Sequence, residues 1–105
     1  MSEVKTLMQR LREDCAARTK HEILGVEIYT TRLTVGEQMT LREREPESRA
    51  RYMVEMLLMK CTLEDGTPAF TRDDKDDLLQ RVAGDRLTPL ISAITGPGVE
   101  EQAKN

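Results

Sequence analysis

The sequence has no Trp, one Phe and two Tyr, so aromatics make up only 3% of its 105 residues. Deep substrate pockets are walled by large apolar and aromatic side chains, and a chain this short commits most of its apolar residues to folding. An enzyme is therefore disfavoured, and no cofactor is expected. Long hydrophobic runs are missing too. The longest, Met56-Leu57-Leu58-Met59, falls far short of the roughly 20 residues that cross a bilayer, and the first residues lack the basic flank and apolar stretch of a signal peptide. The expectation is a cytoplasmic protein with no membrane partner. Nor is there a surplus of positive charge: 16 Lys and Arg stand against 19 Asp and Glu, a net charge of -3. Residues 1–60 carry +1 and residues 61–105 carry -4. No field of that sign draws a protein to nucleic acid. The two cysteines, Cys15 and Cys61, lie in apolar patterns without Cys-x-x-Cys spacing, which reads as two reduced, largely buried thiols.

What is present is a lean set of Leu, Ile, Val and Met with helical spacing. Val4, Leu7, Met8, Leu11 and Cys15 recur at steps of three and four among charged residues, predicting an amphipathic helix over residues 3–18. Between residues 22 and 33 the pattern changes to β-branched and aromatic residues interrupted by Gly25. A bent strand or short hairpin over 22–31 follows, with Val26, Ile28 and Thr30 on one face and an exposed edge. Thr34 precedes Glu37 by three, the spacing of a reciprocal helix cap, so a helix starts there and runs to Glu45, before Pro46. Residues 47–63 form the strongest helical pattern, with Ala50, Met53, Val54, Leu57, Leu58 and Cys61 on one face and Tyr52, Met56 and Met59 widening it.

Asp65-Gly66 signals a tight turn, and residues 67–70 form an extended piece that delivers the only Phe to the core. Thr71 caps a helix containing Asp73, Asp74, Leu78, Leu79 and Val82 that Gly84 ends. Asp85 then caps a last helix with Leu87, Leu90, Ile91 and Ile94, stopped by Gly96-Pro97-Gly98. The expected fold class is α+β, a mostly helical small single domain over residues 1–96 with a short β-hairpin or strand pair, and a flexible tail over 97–105.

Each chemistry-bearing cluster has a plain structural explanation. The run Asp73, Asp74, Asp76, Asp77 lacks the glycine and terminal glutamate of a calcium loop and complements a helix dipole instead, so no metal site is expected. His21 has no nucleophile motif near it. Arg42, Arg44, Arg49 and Arg51 are interleaved with Glu37, Glu43, Glu45, Glu47 and Glu55, which reads as ion pairing on a wet face. Met53, Met56 and Met59 serve equally as core filler or as an interface that repacks against different partners.

The stretch 53–74 carries a resemblance. Its Met-rich helix leads to Cys61, the Asp65-Gly66 turn, Pro68, Phe70 and Thr71 with Asp73 and Asp74. Leu78-Leu79 and a short apolar helix follow, and an earlier strand ends near Arg32-Leu33-Thr34. The chain resembles, over about residues 20–95, the tail assembly chaperones of long-tailed bacteriophages and prophages. That resemblance implies a non-catalytic, oligomeric viral protein of the host bacterial cytoplasm, absent from the mature virion. It would bind the tape measure protein, keep it soluble and help recruit the tail tube protein. The expected protein-binding surface is Tyr52, Met53, Met56 and Met59 with Leu87, Leu90 and Ile94, and on that expectation Met56→Glu leaves the free protein folded. Self-association is expected from the strand edge and the wide Met face. The alternative is a small phage adaptor or inhibitor that binds a host protein through the acidic C-terminal half.

Overall fold

Helix α1 (Leu7–Ala16) leads into a hairpin of β1 (Thr19–Ile23) and β2 (Val26–Thr30), then α2 (Val35–Arg44) and α3 (Arg49–Lys60). A two-residue strand β3 (Cys61–Thr62), a 3-10 turn (Arg72–Asp74), α4 (Lys75–Gln80) and α5 (Gly84–Thr95) complete the computed structural model, which describes residues 6–96. The fold is α+β and mostly helical, with one antiparallel sheet in the order β1-β2-β3. The expected tail over 97–105 lies outside the described residues, as does Val4.

Helix α3 is the centre of the molecule. It packs on α2, α4 and α5, and α5 in turn lies against β1 and β2. The core gathers Ile28 from the sheet, Leu41 from α2, Val54, Met56 and Leu57 from α3, Cys61, Leu78 from α4, and Leu87, Leu90 and Ile94 from α5. Phe70 packs against this cluster from the side. Local chemistry fixes where the elements begin. Thr34 Oγ1 accepts from the Glu37 N–H while Glu37 Oε1 accepts from the Thr34 N–H, the reciprocal cap that the spacing predicted. Ser48 caps α3 by accepting from the Arg51 N–H, and Asp65 Oδ1 closes its turn by accepting from the Thr67 N–H.

Several expectations are corrected. The β1 strand begins at Thr19, directly after the predicted first helix and three residues before the predicted strand, because Lys20 to Ile23 pair residue by residue with Tyr29 to Val26. The segment is a hairpin, and β2 is its inner strand: Tyr29 and Thr30 also pair with Thr62 and Cys61. The exposed edge is therefore β1. Val26 lies at the hairpin tip and is exposed, while Ile28 and Thr30 are buried. Helix α3 stops at Lys60 rather than residue 63, since Cys61 and Thr62 are taken by the sheet and the turn folds residues 67–69 back on them. Ala50, placed on its apolar face, is exposed. Gly84 opens α5 instead of ending α4, which stops at Gln80, and Asp85 sits in the first turn of α5 rather than capping it.

Helix α1 forms behind a Thr6/Gln9 reciprocal cap, yet its apolar stripe is largely open to solvent: Leu7 is 72%, Met8 55% and Leu11 50% exposed. Its last turn ties it to the body. Asp14 pairs with Arg32 at 3.4 Å, and the Cys15 thiol, half-buried rather than largely buried, lies 3.8 Å from the Arg32 carbonyl.

Candidate protein-binding groove

A groove of about 780 Å³ lies between the end of α2, the connection through Pro46, the first turns of α3 and the outer face of α5. Pro46 cannot continue α2, and Ser48 restarts the chain as α3. Leu33, Tyr52, Met53, Met56 and Ile91 supply an apolar floor. Gln38, Ser48, Thr88, Ser92 and Thr95 supply hydroxyl and amide walls, and Arg42, Glu45, Glu47 and Arg49 contribute charge. Glu45 is engaged by Lys75 at 2.7 Å.

A buried ion cluster holds the groove's scaffold. Glu55 is 2% exposed and accepts from Arg72 through both carboxylate oxygens at 2.9 Å, from Lys75 at 2.7 Å and from Arg44 at 3.4 Å. Burial pushes its carboxyl up, but Lys75, Arg72 and Arg44 outweigh this and hold it below the usual range. The interleaved arginines and glutamates are thus only partly a wet face, because this pairing is dry at its centre. Glu37 likewise stays below the usual range: burial raises it, and the Thr34 N–H together with Lys60, 2.9 Å away, lowers it further.

Three of the expected surface residues, Tyr52, Met53 and Met56, line this groove. The remainder do not. Leu90 and Ile94 are fully buried, Leu87 is 9% exposed, and Met59 packs half-buried on the core. Met56 itself is 1% exposed, so it belongs to the core and reaches the groove only at its margin. A seven-residue interface made of these side chains would require the core to open. The side of α5 facing the groove is Thr88, Ile91, Ser92 and Thr95, which the sequence reading passed over except for Ile91. Their i, i+3, i+4, i+7 spacing is a helical stripe in its own right, adjacent to the apolar one.

The reactive side chains are occupied or suppressed. Burial pushes the Cys61 thiol up to about 12, which keeps it protonated at neutral pH. His21 Nε2 lies 3.0 Å from the buried Thr30 hydroxyl, and burial lowers the imidazole's basicity. In the acidic run, Asp74 closes a cap on Thr71 and Asp77 pairs with Arg81. Among the described residues, no group of three His, Cys, Asp or Glu is arranged to hold a metal ion, and no helix is long and apolar enough to cross a membrane. The chain matches no protein-family model, no curated protein and no solved structure.

Proposed function

We propose that this chain is a non-catalytic tail assembly chaperone of a long-tailed phage or prophage, and that it holds an amphipathic helical segment of the tape measure protein in the α2–α3–α5 groove. One observation carries the reading: a groove walled by three helices, floored by Tyr52, Met53 and Ile91 and edged by hydroxyls and charges of both signs. Such a trough suits a fourth helix. Methionine and tyrosine adapt to successive apolar turns of a long, imperfectly repeated client, and the hydroxyl walls let water return when the client is handed to the tail tube protein. In this reading the protein works in the cytoplasm of the infected or lysogenic cell and is absent from the finished virion.

Co-expression with a fragment of the tape measure protein encoded beside it tests the proposal. The wild-type chain should carry the fragment into the soluble fraction, and Met53→Glu, which sets a carboxylate on the groove floor, should lose it. A fragment that stays insoluble beside the wild-type chain removes the chaperone reading. Retention by Met53→Glu moves the contact out of the groove, and if retention then depends on Asp73 and Asp76, the acidic adaptor surface takes its place.

A further inference from the structure

We infer that α1 is an exchanged arm: the Leu7, Met8 and Leu11 stripe of one copy lies in the α2–α3–α5 groove of a second copy, reciprocally, about a twofold axis near Arg32. The inference goes beyond the client: in the free protein the arm fills the groove that a client helix would take over by displacing it, and the test below uses no client. It starts from a mismatch between stability and packing. A ten-residue helix is marginal in water even with a good cap, and no α1 side chain is fully buried, Cys15 alone being half-buried. Its stripe is half or more exposed at all three positions. Something must cover it for the helix to persist.

Three features select a second copy as the cover. The first is placement. The arm is rooted at Arg32, through Asp14 and Cys15, and the next residue, Leu33, lines the groove and donates its N–H to the Ile94 carbonyl of α5. Root and groove end are therefore adjacent, so two copies related by a twofold axis at this point bring each arm to the other's groove. The second is extent. An arm of ten residues is about 15 Å long, and one insertion alone makes a small interface. Reciprocal exchange doubles it toward the roughly 1,200 Å² at which stable interfaces begin. The third is charge. The arm carries Arg10 and Arg12 with Glu13 and Asp14, and the groove rim carries Arg42 and Arg49 with Glu45 and Glu47. Neither surface repels the other, and an arm of balanced charge has no pull toward an anionic lipid surface.

Sedimentation equilibrium on the full chain reads the exchange. The wild-type chain should reach twice its 12.0 kDa mass at high micromolar concentration. Leu11→Glu in the arm and Met53→Glu in the groove should each weaken the dimer about 100-fold or more. An equimolar mixture of the two should associate again, because the Leu11→Glu chain keeps its groove and the Met53→Glu chain keeps its arm. Thr88→Arg, on the exposed groove wall, repeats the groove arm of the test where folding is not at stake. A wild-type monomer overturns the inference. Dimers that survive both groove variants overturn it in favour of arms pairing with each other, and a mixture that stays monomeric overturns it as well.

Discussion

Leu24 has φ 52° and is 77% exposed at the tip of the hairpin, followed by Gly25 at φ 85°. A two-residue hairpin loop asks both residues for positive φ, which glycine gives freely and Asn tolerates, while a leucine is strained there and gains nothing from burial. Leu24→Asn should therefore stabilise the protein by about 0.5–1 kcal/mol, seen as a higher midpoint in thermal or urea unfolding. A lower midpoint would mean that the leucine makes contacts in the native state. The opposite case is Glu55, whose buried carboxylate is the meeting point of Arg44, Arg72 and Lys75. Glu55→Gln keeps the shape and removes the charge, leaving three converging cations with only Glu45 beside them, and should cost about 1–3 kcal/mol. The exposed Asp77–Arg81 pair, broken by Arg81→Ala, should change stability by less than about 0.5 kcal/mol. Urea titrations of the two variants separate the cases.

At the scale of the element, α3 decides the fold. Leu57 is fully buried in the core cluster, and Leu57→Ala should cost about 2–4 kcal/mol, since the loss of transfer energy is joined by a cavity. Met56→Glu should unfold the free protein, reversing the sequence expectation, because a carboxylate at a position 1% exposed has no cation within the apolar cluster to meet it. Circular dichroism of that variant at neutral pH checks this, and a native spectrum would place Met56 on the surface. The contrast shows what could be read from order along the chain. The Thr34 cap, the Asp65-Gly66 turn and the helical period of α3 are set by residues within three or four positions, and these were legible. The end of α3 depends on Cys61 pairing with Thr30, and the burial of Glu55 depends on Arg72 and Lys75 arriving from a later turn. No local pattern carries either. The groove was half legible for the same reason. Tyr52 and Met53 stood out as apolar excess on one helix, whereas Thr88, Ser92 and Thr95 acquire a role only once α5 has buried Leu87, Leu90 and Ile94 on its other side.

Across the whole molecule, carboxylates tie the helices to one another. Glu37 joins α2 to Lys60 at the end of α3, Glu45 joins the end of α2 to Lys75 on α4, and Glu55 joins α3 to Arg72 and Lys75. Glu37 and Glu55 are both held below the ordinary glutamate value of 4.5 in the folded state. An unfolded chain therefore binds protons that the folded chain refuses as the pH drops through this range, so stability rises with pH there and falls on acidification. The contribution is fully present well above 4.5 and is lost progressively as pH falls through the lower folded values. Urea unfolding as a function of pH should then show a flat plateau at neutral pH that turns down below about pH 5. Glu55→Gln should lower the plateau and make the downturn shallower, because the Glu55 carboxylate no longer contributes to it. A variant whose curve runs parallel to the wild type through the acid range would mean that Glu55 titrates alike in both states and that the cluster's cations do not hold its proton off.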